Sequence, residues 1–351
     1  MVTRQDPHRR RRRRRPDEPL DVRLSPVRSR HEVFKRRGGH PAEGPVEIEL
    51  DLPAAVRVDP DDLSPRGRFE REIGIASVGI YLADRSVKRR LPPVDPRQRV
   101  AVDVRGGAPG TRETDALGTA IKPVTVNALM FSGGSAFGLN AASGISDEIE
   151  KEGRGAPTPV GPVPIVPSAI VFDLMTGDPP RRPGPEDGVA AYRARSEDPV
   201  PLGRVGAGSG TTVAGWRGED AMRFGGIGSA AVSIEGATVG ALVVLNAVGD
   251  VFTLEGESLT GGPHASMEMP EGPPQDNTTL VCVATDAGIA DRNELRRVAI
   301  RAHDAMGACI RPTHTRYDGD SAFVVSFGEE TGDIDDVQQA AFVAVGRAIE
   351  A

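Results

Sequence analysis

PPQDNTTLVCVATDAGIADR, residues 273–292, changes character at its centre. The segment leading into it, residues 254–276, is rich in Gly, Pro, Glu and Ser, which is a loop composition. LVCVATD then forms a compact apolar run, the pattern of a buried core strand. Thr278 therefore stands where a pliant loop meets the core. One reading is that it opens the strand and does no more. The other is that the Asn277–Thr278 bond is cut and Thr278 becomes a new N-terminus. One residue would then carry a nucleophilic hydroxyl and its own amine base. A Thr hydroxyl needs a base within hydrogen-bond reach. A free α-amine, with a reference pKa of about 8, suits neutral pH better than a Lys amine at about 10.

The chain has 351 residues, 38% hydrophobic content and 42 glycines, enough for two average domains or one large α/β domain with many tight turns. Its net charge of −7 hides an asymmetry: residues 1–40 hold 14 Arg and Lys against 5 Asp and Glu, leaving −16 for the rest. An acidic body keeps a protein soluble and argues against a nucleic-acid-binding one. Residues 1–66 are Arg-, Pro- and Asp-rich and bury too little apolar area to offset ordering entropy, so they read as a disordered tail. The seven arginines at 9–15 either touch RNA or an acidic partner, or simply belong to a solvated tail or an over-long gene start. They are not followed by an apolar segment, so they are no secretory signal.

No apolar run reaches the roughly 18 residues of a membrane span, so no membrane partner is expected. Cys282 and Cys309 lack metal or redox spacing and read as buried thiols in a reducing, cytoplasmic compartment. His303 and His314 read as hydrogen-bonding residues, one on the polar stripe of a helix and one in a loop. No metal and no cofactor is expected.

From about Phe69 the pattern becomes periodic. IGIASVGIYLA (73–83), QRVAVDVRGG (98–107) and VTVNALMF (124–131) read as strands, with a polar loop at 107–117. Residues 132–153 read as a helix entered through Ser-Gly-Gly-Ser. The free amide N–H groups of Gly133, Gly134 and Ser135 would either bind an anion or cap that helix. PVPIVPSAIVFDL (162–174) is broken by prolines and reads as a short or edge strand. EDGVAAYRARSE reads as one exposed helix. GRVGAGSGTTVAGW (203–216) lacks the Lys of a phosphate loop, so the N–H groups around Gly208 and Ser209 are expected to face a substrate. Residues 225–234 and 237–250 form a hairpin turning at Glu235-Gly236. Asn246, the polar residue in its second strand, either pins the strand end or serves the site. Amphipathic helices follow at 294–310 and 333–351, separated by a turn at Asp318-Gly319-Asp320.

VDVRGGAPGTRETD, NALMFSGGSAFGLNAASGI, GRVGAGSGTTV, GGIGSAAV, VGALVVLNAVGD, DNTTLVCVATDA and RPTHTRYDGDSAF, in this order, resemble the DmpA-type peptidases, the L-aminopeptidase/D-amidase/D-esterase family that includes β-peptidyl aminopeptidases. The resemblance runs from about residue 69 to the C-terminus. It implies a single α/β domain over 67–351, folded as a four-layer αββα sandwich of the kind shared with ornithine acetyltransferases. It implies self-cleavage between Asn277 and Thr278, giving chains 1–277 and 278–351 that stay together as αβ units of a homo-oligomer. It makes Thr278 the nucleophile and Asn246 the donor that polarises the acyl carbonyl. The substrate would be a small peptide or amino-acid amide.

The family's Ser-Gly-acid turn is replaced here by Asp318-Gly319-Asp320. The family acid maps to Asp320 and its helper Ser to Asp318. An anionic Asp beside the new amine would raise that amine's pKa and attract a substrate's amino group. The family's Tyr near the carbonyl has no counterpart, Phe172 standing in that region. Ornithine acetyltransferases carry Ala-Thr-Met-Leu at the cut, unlike Asp-Asn-Thr-Thr-Leu here, which counts against a transferase. The altered turn and missing Tyr also leave a catalytically idle, metabolite-binding relative as an alternative.

Overall fold

Alternate residues of LVCVAT pack against different layers, and this alternation builds the architecture. The computed structural model describes residues 78–81 (as backbone), 99–119, 124–176, 182–195, 200–263, 276–328 and 332–351. The tail expected over 1–66 lies outside the described residues. A four-stranded sheet runs in the order β1 (Val78–Tyr81), β4 (Leu129–Ser132), β5 (Ser168–Ile170), β3 (Thr111–Arg112). A five-stranded sheet runs in the order β6 (Gly226–Ile234), β7 (Ala237–Leu245), β8 (Leu280–Thr285), β9 (Ser321–Ser326), β2 (Arg99–Val104). Each sheet holds one parallel pair: β4 with β5, joined across α1 (Ala141–Lys151), and β8 with β9, joined across α3 (Arg292–Cys309).

Period-two side-chain alternation sorts the core into three slabs. Leu280 and Cys282 of β8 face Leu129 and Phe131 of the smaller sheet, together with Phe323 of β9. Val281 and Val283 face the other way, against Leu295 and Met306 of α3 and Val345 of α4 (Ile334–Glu350). Met130 of β4 meets Ile145 and Ile149 of α1 and Tyr192 of α2 (Pro185–Arg193) on the far side of the smaller sheet. The result is the expected helix–sheet–sheet–helix sandwich. Each fully buried Leu or Phe of these slabs contributes about 2–3 kcal/mol.

The β6–β7 hairpin forms as read, Ile234 pairing with Ala237 across Glu235-Gly236. Asp333 caps α4, accepting from the N–H groups of Asp335 and Asp336. Several boundaries differ from expectation. The helix read over 132–153 begins as a 3-10 segment, Ser135–Asn140, and becomes α-helical at Ala141. The strand read from 124 starts only at Leu129. β5 is short but interior, paired on both sides by β4 and β3, because its prolines precede the paired residues. α2 is not an exposed helix: Tyr192 is 1% exposed and donates its hydroxyl to Glu152 at 2.8 Å. His303, expected on a polar stripe, is buried under β2. Both cysteines are buried, their thiols pushed up to about 12 by desolvation. No helix among the described residues is long and apolar enough to cross a membrane. Those residues hold no group of three or more potential metal ligands of the His, Cys, Asp and Glu type.

Candidate active site

The register of the larger sheet assembles the site. Val244 pairs with Leu280, so Asn246, just past the end of β7, comes alongside Thr278. Leu280 pairs in parallel with Ser321, so the Asp318-Gly319-Asp320 turn runs beside Asn277–Thr279, and Asn277 bridges to Asp318. Main-chain bonds lock this segment. Thr278 N–H donates to Asn246 O at 2.8 Å, Asn277 N–H to Tyr317 O at 2.9 Å and Ser321 N–H to Thr279 O at 3.1 Å.

The carbonyl of Asn277 is the focus. Gly319 N–H donates to it at 3.1 Å. The Thr278 hydroxyl donates to the same oxygen at 2.5 Å. The hydroxyl therefore lies against the peptide group it would attack. Residue 319 has to be Gly for this approach: a Cβ there would stand 2.4 Å from Ala108 O and 2.8 Å from Thr278 Oγ1. Asn277 and Thr278 are 3% and 2% exposed in the uncut chain. The Asn277 carboxamide donates to Thr212 O at 3.2 Å and Asn246 Oδ1 at 3.3 Å. Asn246 Oδ1 also accepts Thr212 N–H at 2.8 Å, and Asn246 Nδ2 donates to Phe172 O at 3.0 Å. Asn246 thus organises the Asn277–Thr278 segment, and its amide donates to the Phe172 carbonyl.

The two acids of the turn differ in environment. Asp318 Oδ2 accepts Thr315 N–H at 2.8 Å and the Thr315 hydroxyl at 2.7 Å, while Oδ1 receives Val248 N–H at 3.4 Å. Burial, and then the neighbouring charge of Asp320, raises its pKa to about 6. Asp320 Oδ1 accepts Thr279 N–H at 2.8 Å, and Oδ2 accepts from His314 Nδ1 at 2.7 Å.

Of the glycine-rich N–H groups, those of Gly134, Ser135, Gly208 and Ser209 have partners within the chain. Gly134 N–H donates to Asp173 Oδ1 at 2.6 Å, and Ser135 N–H to Val171 O at 3.0 Å. Gly208 N–H and Ser209 N–H close their own turn onto Val205 O at 2.8 Å and Gly206 O at 3.2 Å. The amides of Gly208 and Ser209, expected to face a substrate, close local turns instead, while of the two readings open for the Ser-Gly-Gly-Ser amides Gly134 N–H holds an anion, the chain's own Asp173 carboxylate. A Cβ on Gly133 or Gly210 would come within 2.4 or 2.8 Å of Asp173 Oδ2. Asp173 is the residue that sequence reasoning missed. Burial raises its pKa, and it follows Phe172, whose carbonyl holds Asn246. The available signal was a single acid closing the apolar run SAIVFD.

A hydroxyl thus sits on the preceding carbonyl, at the entry to a core strand of an αββα sandwich. The chain belongs to peptidase family S58, whose family profile matches residues 91–351. An uncharacterized aminopeptidase of Mycobacterium tuberculosis is 40% identical over 282 residues, covering 75% of this chain and 78% of the relative. The 6-aminohexanoate-oligomer endohydrolase of Paenarthrobacter ureafaciens is 29% identical over 247 residues, 66% of each chain. Among solved structures, the L-aminopeptidase D-Ala-esterase/amidase of Ochrobactrum anthropi, described as a variant of the Ntn hydrolase fold, superposes with a TM-score of 0.57 at 19% identity, covering 78% of this chain and 83% of that one. A Burkholderia sp. β-aminopeptidase gives 0.56 at 17% identity over 78% and 83%. These two show the fold, and the family match makes the chain a peptidase.

Proposed function

We infer that the chain is an autoprocessed aminopeptidase or amidase with Thr278 as its N-terminal nucleophile. The observation that carries this is the Thr278 hydroxyl lying on the Asn277 carbonyl while Gly319 N–H holds the same oxygen. In the uncut chain the nitrogen of Thr278 is an amide and cannot act as a base. Asp318, anionic above about pH 6, takes that part and accepts the hydroxyl proton. The Oγ1–C bond forms, the Asn277–Thr278 C–N bond breaks, and the departing nitrogen takes the proton. Gly319 N–H stabilises the oxyanion, and water hydrolyses the ester to chains 1–277 and 278–351.

In turnover the freed amine of Thr278 becomes the base for its own hydroxyl. The hydroxyl attacks the carbonyl of a small peptide or amino-acid amide. Asn246 Nδ2 turns from Phe172 O to the acyl oxygen as second donor, and water releases the acyl group. Asp173 and Asp320 supply negative charge for the substrate's ammonium and for the new terminus. No metal or cofactor takes part. Assembly of αβ units into a homo-oligomer in the cytoplasm belongs to the same reading. The test is intact-mass analysis of purified protein. Two chains meeting at Asn277/Thr278 are expected, and one chain for Thr278→Ala. A wild-type protein that stays whole at neutral pH overturns the mechanism.

A further inference from the structure

Behind the Asp-Gly-Asp turn lies a layer that the reaction above leaves unused. Asp320 Oδ2 receives three donors: His314 Nδ1 at 2.7 Å, His314 main-chain N–H at 3.2 Å and Thr313 Oγ1 at 3.2 Å. Its other oxygen holds Thr279 N–H, one peptide beyond the nucleophile. His314 has φ +54, a left-handed backbone that a non-glycine residue adopts uncommonly. In that conformation its ring and its own N–H converge on one oxygen. Such a cost is expected where the surroundings demand the geometry.

The far side of His314 is closed by His303 of α3, whose ring stands edge-on at 4.7 Å. Burial lowers the pKa of His303 to about 4, and its Nε2–H donates to Asp103 O at 2.9 Å, so this wall is neutral. The carboxylate of Asp103 on β2 is taken by Arg105 at 2.8 Å and by Arg296 of α3 at 3.0 Å. The charged neighbours of the pair are thus Asp318, Asp320 and Arg316 on its own loop, Asp103 on β2 with Arg105 just past its end, and Arg296 on α3. Asp320 is the carboxylate that His314 hydrogen-bonds. His314 Nε2 and His303 Nδ1 are buried without a protein partner.

We propose that His314 is a positioning residue that, through its ring and its own N–H, holds Asp320 aimed at the Thr278–Thr279 segment, and so sets how far into acid the centre works. This rests on Thr278 being the nucleophile. A donor held on a carboxylate favours its charged form, so a poorly placed donor lets that form be lost at higher pH.

The experiment compares pH profiles of kcat/KM on an aminoacyl-anilide for full-length wild type, His314→Asn, Asp320→Asn and the double variant. Asparagine suits the left-handed backbone at this position, but its freely turning amide does not fix a donor on Asp320 as the ring does. With His314→Asn the acid limb is expected to move toward neutral pH by about one unit, with Tm unchanged. Placed in the Asp320→Asn background, the same change is expected to move nothing. A His314→Asn profile that superimposes on wild type overturns the proposal. His314→Gln serves as the same test if the Asn variant does not fold. An uncut, inactive wild type would strike the nucleophile reading instead, so the two failures are distinct.

Discussion

Gly319 meets Thr278 so closely that the site tolerates no side chain between them. Its N–H holds the Asn277 carbonyl, and its missing Cβ leaves room for the hydroxyl. Gly319→Ala is expected to slow self-cleavage by at least about 100-fold, the scale set by misplacing reacting groups by an ångström. Time-resolved gels of freshly purified protein check this. Asp318 supplies a pH signature. Its pKa of about 6 in the fold exceeds the ordinary 3.8, so the folded state holds the proton more tightly than the unfolded one. Its contribution to stability is full below pH 3.8 and is lost as pH rises through about 6. The base it provides appears over the same window. Cleavage should therefore fall about tenfold per pH unit below 6. The Tm advantage of Thr278→Ala over Thr278→Ala/Asp318→Asn should shrink between pH 4 and 6. Calorimetry and a pH–rate series on refolded protein read the two trends.

At the scale of elements, β8 explains why so much was legible. Its Leu280–Val283 run is apolar without a break because both faces of the strand are covered. The hairpin at Glu235-Gly236 and the two amphipathic helices carry equally local signals. The start of α1 was misread because Ser-Gly-Gly-Ser fits either helix entry or a 3-10 turn, and Asp173 decides between them from 39 residues away. The pairing of Asp320 with His314 depends on the parallel register of β8 and β9, which no local pattern encodes. Asp318, Asp320, Asn246 and Thr278 came from a motif resemblance, and the register then brings them side by side. Phe323 of β9, fully buried against Phe131 at 5.7 Å between centroids, ties the two sheets together. Phe323→Ala is expected to cost about 3–5 kcal/mol in urea unfolding of the Thr278→Ala protein.

For the whole molecule, the segment after the proposed scissile bond is the centre of the fold. Residues 278–351 supply β8, β9, α3 and α4, hence two interior strands of the larger sheet and the helix layer behind it. β8 pairs along its length with β7 on one side and β9 on the other. The proposed products 1–277 and 278–351 should therefore co-elute as one species in size exclusion and separate only in denaturant.

Leu280, the first residue of β8, lies two positions beyond Thr278. A terminus created there has almost no leash. An amine freed there could not wander from Asn246 or from the turn, so it would act at a very high local concentration. The interior strand is in this sense the tether of the reactive group. A protein that makes its own chain end in such a place exchanges one peptide bond for a fixed tool, and the change cannot be undone.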